Sequence, residues 1–212
     1  MRVVEIFDSI DGEGIYTGCL ATFIRLAGCN MRCRYCDTTY SFTGGKEMSI
    51  ADIVEEVKRI GNKHITLTGG EPLIHSNVKG LIDSLSDYTI NIETNGSVDV
   101  EEYQAENTVI TMDYKTVSSG ENEKMSLRRI NSLRSCDVLK IVCNEDDFEN
   151  IADMLRICRT EAHIFISPIF KEIEPVKLVE FAKKLRDSGL TNDIRVQVQL
   201  HKIIWKPEAR GV

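Results

Sequence analysis

Short apolar runs alternate with helical patterns along almost the whole chain of 212 residues. Most of these runs are apolar at successive positions, which is typical of strands covered on both faces. The predicted strands span residues 3–7, 22–27, 64–68, 89–93, 108–112, 138–142, 163–167 and 194–199. Repeated strand-helix alternation predicts an α/β fold with a mainly parallel sheet, either open and doubly wound or curved into a complete or partial barrel. In all of these folds, chemistry belongs on the loops at the carboxyl ends of the strands.

The intervening helices have recognisable ends. Ser49 is a good N-cap for a helix over residues 50–60, since Asp52 lies in its first turn and Gly61 just beyond its end. Because no stretch is rich enough in Pro, Gly or Ser to form a linker, we expect a single domain over residues 1–212. Further helices are predicted over residues 78–86, 126–133, 148–158 and 175–188.

Charge and hydropathy exclude several classes of protein. The net charge is −7, from 26 Lys and Arg against 33 Asp and Glu, and the sequence has no long basic cluster. A nucleic-acid-binding surface is therefore not expected. No apolar run approaches the roughly 20 residues that span a bilayer, and the first residues lack the apolar segment of a signal peptide. We expect a cytoplasmic protein that binds neither nucleic acid nor membrane.

Three of the seven cysteines, Cys29, Cys33 and Cys36, lie together on the loop after the strand predicted over residues 22–27. An odd number of cysteines without an export signal favours reduced thiols over a disulfide framework. Three thiolates suit a [4Fe-4S] cluster in which one iron keeps an open position. A zinc site completed by Asp37 or a distant cysteine, and three unrelated buried thiols, remain alternatives. The other four cysteines, expected in the core, are Cys19, Cys136, Cys143 and Cys158.

Two motifs resemble those of the radical S-adenosylmethionine (SAM) enzymes. The cysteines follow the C-x3-C-x2-C spacing of that superfamily, with the aromatic Tyr35 before the last cysteine. The sequence TGGEP at residues 68–72, which ends another predicted strand, resembles its GGEP motif, although alone it would be an acceptable surface turn. The resemblance implies that the open iron binds the amino and carboxylate groups of SAM. It also implies that Tyr35 lies near the adenine, with the backbone and acidic side chain of GGEP near the amino group.

A longer resemblance points to one family within that superfamily. The chain resembles the 7-carboxy-7-deazaguanine synthases over nearly its whole length, through DGEG at residues 11–14, Arg25, CDT at 36–38, IETNG at 92–96 and QLHK at 199–202. That family converts 6-carboxy-5,6,7,8-tetrahydropterin to 7-carboxy-7-deazaguanine with loss of ammonia, on the route to queuosine, and magnesium assists. The resemblance implies a modified, partial (β/α) barrel of the radical SAM type, and a 5′-deoxyadenosyl radical that abstracts hydrogen from the substrate.

The family resemblance also implies a set of site residues. Arg25 suits the substrate carboxylate because a guanidinium binds a carboxylate through two parallel hydrogen bonds. Thr38 is expected to give Mg²⁺ a hydroxyl oxygen. The expected substrate contacts are Ile10, Asp11, Gly12, Arg25, Thr68 and Val212. The expected SAM contacts are Tyr35, Cys36, Asp37, Gly70, Asp113, Tyr114, Lys115 and Ser167.

Parts of this set differ from the family or stay open. Many family members have Ser-Pro-Lys where this chain has DYK at residues 113–115, which leaves the roles of the individual side chains undecided there. Glu71 and Glu93 are acidic groups at strand ends and are candidates for orienting ribose, amine or pterin nitrogens. His201 is a candidate for reaching the substrate.

The resemblance implies a pterin substrate, an electron donor such as flavodoxin or ferredoxin, and a second copy of the chain in a homodimer. Two alternatives remain. A glycyl-radical-enzyme activase has the same cysteine triad but acts on the backbone of another protein, and a non-catalytic zinc or iron-sulfur module would need no substrate. DGEG at residues 11–14, Arg25 and the His201 segment favour the small-molecule reaction.

Overall fold

One mixed sheet organises the molecule, which we describe from a computed structural model covering residues 1–190, 193–206 and 209–212. Its strands pair in the order β3-β1-β2-β4-β5-β6-β7-β8-β9. The strands are β1 (Arg2–Ile10), β2 (Leu20–Leu26), β3 (Lys46–Glu47), β4 (His64–Gly69), β5 (Thr89–Thr94), β6 (Thr108–Tyr114), β7 (Val138–Cys143), β8 (His163–Pro168) and β9 (Ile194–Val196).

All pairings from β2 to β9 are parallel, whereas β1 is antiparallel to both β2 and β3. Within the described residues the sheet stays open between its edge strands, β3 and β9. The predicted partial barrel is therefore confirmed. Because the parallel strands share one direction, their carboxyl ends meet at one edge, where the register pairs Arg25 of β2 with Thr68 of β4.

The helices connect and cover the strands much as the sequence predicts. At the start of the first helix, the Ser49 hydroxyl accepts from the Asp52 backbone N–H at 3.1 Å, and the Asp52 carboxylate accepts from the Ser49 N–H at 3.0 Å. Gly61 ends that helix with φ of 89°, as predicted for a glycine cap. The helices are α1 (Ile50–Ile60), α2 (Val78–Ser84), α3 (Leu127–Asn131), α4 (Phe148–Ile157), α5 (Pro175–Asp187) and α6 (His201–Ile204).

One difference from the predicted elements follows β9. That strand ends at Val196 rather than at 199, because the next residues leave the sheet for the loop after β1. The Gln197 carboxamide oxygen accepts from Gly14 N at 2.7 Å, and Leu200 N donates to the Gly12 carbonyl at 3.0 Å. This contact is between distant parts of the sequence, and local patterns do not report it.

The core lies between the central strands and the helices. β7 is buried at all six positions, although one of them is Lys140. Cys143 and Cys158 are buried as expected, but Cys19 is only partly buried and Cys136 is exposed, so the core prediction is wrong for Cys136. In the described parts of the chain, no helix has the length and apolar character needed to cross a membrane.

Candidate active site

A cavity of about 630 Å³ opens at the carboxyl ends of the parallel strands. This volume lies in the range of small-molecule sites. Loops that follow β1, β2, β4, β5 and β6 line it together with the C-terminal segment. The lining includes most of the candidates named from the sequence, which are Ile10, Gly12, Arg25, Cys29, Cys33, Tyr35, Cys36, Asp37, Thr38, Thr68, Gly70, Glu93, Asp113, Lys115, His201 and Val212.

Cys29, Cys33 and Cys36 are partly buried free thiols that line this cavity. Among the described residues, no three His, Cys, Asp or Glu side chains are grouped as ligands of one metal ion. A zinc ion would need its sulfur ligands about 2.3 Å away and therefore close to one another. In a [4Fe-4S] cluster each cysteine binds a different iron, so the thiols are further apart. The donor set fits such a cluster, with one iron left without a protein ligand.

The cysteine loop, residues 28–37, is attached to the segment that follows β6. Arg34 N donates to the Ser119 carbonyl at 3.0 Å. Arg32 N donates to the Glu121 carboxylate at 2.5 Å. The loop that follows β2 is therefore also held in place by residues that follow β6.

Gly70 packs directly on the cysteine loop from the end of β4. A Cβ at this position would lie 2.1 Å from the Gly28 carbonyl oxygen and 2.7 Å from the Cβ of Cys29. Only glycine leaves room for this approach. Glu71 N donates to the same Gly28 carbonyl at 2.8 Å, so the GGEP motif and the cysteine loop are hydrogen-bonded together.

The acidic side chain of the GGEP motif bonds to the protein itself. Glu71 is completely buried. Its carboxylate accepts from Leu73 N at 3.0 Å, from the Thr94 hydroxyl at 2.9 Å and from Asn95 N at 2.6 Å. Burial raises its pKa to about 7, although these donors act to lower it. In the structure this carboxylate joins the ends of β4 and β5, and its expected contact with the amino group of SAM stays a prediction.

Arg25 reaches the cavity from β2 and is held at its Nε atom. Nε donates to the Glu5 carboxylate at 2.7 Å, and the Tyr40 hydroxyl donates to the same oxygen at 2.8 Å. The guanidinium also lies near the rings of Phe7 and Tyr40, at 5.8 and 5.9 Å from the centroids. Within the described residues the two terminal nitrogens have no protein partner, so they can bind a ligand carboxylate.

A buried charge cluster lies where the end of β6 pairs with the middle of β7, at Asp113 and Lys140. The Lys140 ammonium lies 2.6 Å from the Glu13 carboxylate and 3.2 Å from Asp113, and Lys115 lies 3.1 Å from Asp113. Burial raises the pKa of Asp113, but the two ammonium groups outweigh it and the net pKa is lowered. Burial lowers the pKa of Lys140, but Asp113 and Glu13 hold it well above its usual value. One oxygen of each carboxylate is buried without a hydrogen-bond partner among the described residues.

The loop after β1 meets the C-terminal segment across Gly12. A Cβ on Gly12 would lie 2.1 Å from Nδ1 of His201, so this glycine is what allows the imidazole into the cavity. Burial lowers the pKa of His201, while nearby Glu13 acts to raise it. Beside this contact, the Thr68 hydroxyl donates to the Glu93 carboxylate at 2.8 Å.

The C-terminal segment is also bonded to the cysteine loop. Lys202 lies 2.9 Å from the Asp37 carboxylate. Burial raises the pKa of Asp37, but the Lys202 charge outweighs it and the net pKa is lowered. The Arg210 guanidinium stacks on Tyr40 at 4.1 Å from the ring centroid, and Val212 lines the cavity.

Two residues flank Cys36. The Tyr35 hydroxyl donates to the Val142 carbonyl at 3.1 Å, which fixes the ring in the cavity wall. The Thr38 hydroxyl lies 3.8 Å from Cys36 Sγ.

Three predicted contacts, Asp11, Tyr114 and Ser167, are described residues whose side chains do not line the cavity. The Asp11 carboxylate accepts from the Thr66 hydroxyl at 2.6 Å, and burial raises its pKa to about 7. The Tyr114 hydroxyl donates to the Asn150 carboxamide at 3.2 Å. Ser167 is completely buried. Asp11 Oδ2 and Ser167 Oγ are buried without a hydrogen-bond partner among the described residues, and the binding roles of all three residues stay predictions.

Sequence reasoning named no role for five residues that the site uses, namely Glu5, Glu13, Tyr40, Lys140 and Lys202. Lys140 has a signal, because it is the one charged residue in the strand VLKIVC. A lysine in a strand covered on both faces requires a buried acidic partner. For Tyr40 and Lys202 the partners are distant in sequence, and no local pattern identifies them.

Comparison with known proteins agrees with this geometry. Residues 23–170 match the radical SAM superfamily. The chain is 40% identical to a 7-carboxy-7-deazaguanine synthase of Clostridium acetobutylicum, over 100% of this chain and 99% of the relative. It is 36% identical to the synthase of Methanospirillum hungatei, over 98% of this chain and 86% of that protein. A crystal structure of QueE from Escherichia coli has the same fold, with a TM-score of 0.72 and 24% identity over 94% of both chains.

Proposed function

The chain belongs to the 7-carboxy-7-deazaguanine synthase family of the radical SAM superfamily, and we propose that it converts 6-carboxy-5,6,7,8-tetrahydropterin to 7-carboxy-7-deazaguanine with loss of ammonia. One observation carries the proposal beyond the family. The same cavity is lined by three cysteine thiols and by Arg25, whose terminal nitrogens remain available for a carboxylate.

The cofactors are a [4Fe-4S] cluster and SAM. When bound, the cluster supplies the electron that cleaves SAM and produces the radical that removes hydrogen from the substrate. The chain holds the cluster through Cys29, Cys33 and Cys36. Tyr35, Cys36, Asp37, Gly70, Asp113 and Lys115 are the SAM contacts that we propose among the cavity-lining residues.

The substrate lies against the loops after β1 and β4 in this proposal. Arg25 binds the carboxylate, and the Thr68-Glu93 pair faces the pterin ring. Ile10, Gly12 and the terminal carboxylate of Val212 complete the proposed contacts. Asp11, Tyr114 and Ser167 remain contacts in this proposal, supported for Asp11 and Ser167 by a buried polar atom that has no hydrogen-bond partner among the described residues.

Several finer features are part of the same proposal. Thr38 gives a hydroxyl ligand to Mg²⁺, which binds oxygen ligands and retains waters. Flavodoxin or ferredoxin supplies the electron, and two copies of the chain form a homodimer. Residues 1–212 act as a single domain in the cytoplasm.

Turnover by the anaerobically reconstituted protein tests the proposal. With SAM, a reductant and carboxytetrahydropterin, mass spectrometry should detect 7-carboxy-7-deazaguanine, and Cys33→Ala should form none. A protein that holds four irons and cleaves SAM but leaves the pterin unchanged would contradict the proposed substrate. Cleavage of SAM only in the presence of a glycyl-radical enzyme would support the activase alternative.

A further inference from the structure

Asn95 lies where the end of β5 meets the cysteine loop, and its side chain contacts a cluster ligand. The residue is 6% exposed. Its Nδ2 group donates to Asn30 Oδ1 at 2.9 Å and lies 3.8 Å from Cys29 Sγ. One carboxamide NH₂ group therefore has a donor for each of these neighbours.

The orientation of this carboxamide follows from its other contacts. Asn95 Oδ1 accepts from Ser97 N at 2.9 Å, which places the oxygen away from the sulfur. Asn30 Nδ2 donates in turn to the Ser97 hydroxyl at 2.8 Å. A carboxamide flipped by 180° would put its NH₂ group against the Ser97 N–H and its oxygen against Asn30 Oδ1. The donor consequently faces Cys29.

Glu71 fixes the backbone that carries Asn95. Its buried carboxylate accepts from Asn95 N at 2.6 Å and from the Thr94 hydroxyl at 2.9 Å. Gly70 packs on the cysteine loop, and the next residue, Glu71, holds Asn95, which donates to Cys29. These hydrogen bonds give the buried Glu71 carboxylate a positioning role that requires no contact with SAM.

The three cysteines differ in their neighbours. Cys29 Sγ also accepts from Met31 N at 3.4 Å, so two N–H donors face it. Cys36 Sγ has the Thr38 hydroxyl at 3.8 Å. Among the described residues Cys33 Sγ has no hydrogen-bond donor. Hydrogen-bond donors are therefore distributed unevenly over the three sulfur atoms of the cysteine loop, and most of them face Cys29.

We propose that Asn95 is a hydrogen-bond donor to the Cys29 ligand that raises the reduction potential of the cluster, and that Glu71 is the positioning residue that holds it there. The reduced cluster carries one more negative charge than the oxidised cluster. A donor to a ligand sulfur stabilises that charge, and hydrogen bonds to sulfur are among the factors that set these potentials. The inference rests on the proposed function only in that the chain holds a [4Fe-4S] cluster.

The test is the midpoint potential of the reconstituted cluster, measured by EPR-monitored titration without SAM or pterin. Asn95→Ala removes the donor, and Asn95→Asp keeps an oxygen for the Ser97 N–H while removing the NH₂ group. We expect Asn95→Ala to lower the equilibrium constant for reduction about tenfold, which is a shift of about 59 mV to more negative potential for one electron. Asn95→Asp should lower it further, because it also adds a carboxylate beside the cluster. Ser97→Ala, the matched control, keeps the backbone N–H that orients Asn95 and should shift the constant less than about threefold.

Equal potentials for wild type and Asn95→Ala, each with four irons, would overturn the proposal. So would a failure of both Asn95 variants to bind four irons, because Asn95 would then be needed to form the loop and not to tune it. A wild-type chain that binds four irons but does not convert the pterin would contradict the proposed function and leave this inference standing.

Discussion

Two walls of the cavity bury carboxylates in different ways. On the GGEP wall, which contains Gly70, Glu71 and Asn95, the carboxylate is surrounded by backbone N–H and hydroxyl donors and burial raises its pKa to about 7. On the lysine wall, which contains Glu13, Asp113, Lys115 and Lys140, the pKa of Asp113 is lowered by two ammonium groups. Neutral donors thus offset only part of the rise in pKa that burial causes, whereas two opposite charges outweigh that rise.

The contrast matches what each wall faces. The GGEP wall packs on the cysteine loop, where the cluster brings its own charge, and it supports that loop mainly with dipoles. The lysine wall keeps fixed charges between the end of β6 and the middle of β7, where they line the cavity and polar groups of a ligand can meet them. Removing one charge from the lysine wall should therefore lower the free energy of unfolding more than removing one donor from the GGEP wall.

Lys140→Met should cause the largest loss of stability, because it leaves the buried Glu13 carboxylate without a cation. Breaking a buried pair in this way costs about 3–5 kcal/mol. Urea denaturation measures the free energy of unfolding. Lys115→Met is the matched control, since Asp113 keeps Lys140 as a partner, and its loss should be smaller. Equal stability of Lys140→Met and wild type would break the contrast between the walls.

The two carboxylates should differ in how the free energy of unfolding depends on pH. The folded-state pKa of Glu71, about 7, exceeds its ordinary value of 4.5, so wild type loses stability relative to Glu71→Gln as pH rises from 4.5 to 7. That loss is about 3 kcal/mol, at roughly 1.4 kcal/mol per pKa unit. Asp113, with a lowered pKa, titrates below 3.8. The stability difference between wild type and Asp113→Asn should thus stay constant from pH 5 to 8, and parallel pH profiles for the two variants would contradict the account.

Arg25 combines an opposite charge with a neutral donor, because its guanidinium donates to the Glu5 carboxylate and the Tyr40 hydroxyl donates to the same oxygen of Glu5. Arg25→Lys keeps the charge but loses the two parallel donors, so KM for carboxytetrahydropterin should rise roughly 10- to 100-fold, as expected for hydrogen bonds worth about 1.5–3 kcal/mol. Steady-state kinetics measure the change. Arg59→Lys on the exposed side of α1 is the control and should leave KM unchanged. An unaltered KM for Arg25→Lys would place the carboxylate elsewhere.

The smallest effect is expected far from both walls. Cys136 is exposed, and Cys136→Ser should change the free energy of unfolding by less than about 0.5 kcal/mol. Iron analysis should still find four irons per chain. Loss of iron in this variant would show that the cluster uses a cysteine outside the loop of residues 28–37.

The fold, and the grouping of three cysteines on one cavity-lining loop, could be predicted because their signals are local. The capping residues Ser49 and Gly61, the apolar runs of the parallel strands and the spacing of the three cysteines each lie within a short stretch of sequence. The end of β9 could not be predicted, because the Gln197 side chain and the Leu200 backbone bond a loop more than 180 residues away.

The lysine wall and the Asn95 contacts were missed for the same physical reason. Glu13 and Lys140 form one ion pair across 127 positions of sequence. Asn95 and Cys29 are 66 positions apart and meet only because parallel strands bring their ends together. The role of Glu71 was open from the sequence, and its burial and three protein donors show that it joins the ends of β4 and β5.

The EPR spectrum of the reduced protein, recorded with and without SAM, tests the central claim most directly. Three thiols that hold a [4Fe-4S] cluster leave one iron open, so addition of SAM should change the spectrum of a protein that contains four irons per chain. A spectrum that SAM leaves unchanged, or a protein that binds one zinc ion instead of iron, would contradict the account.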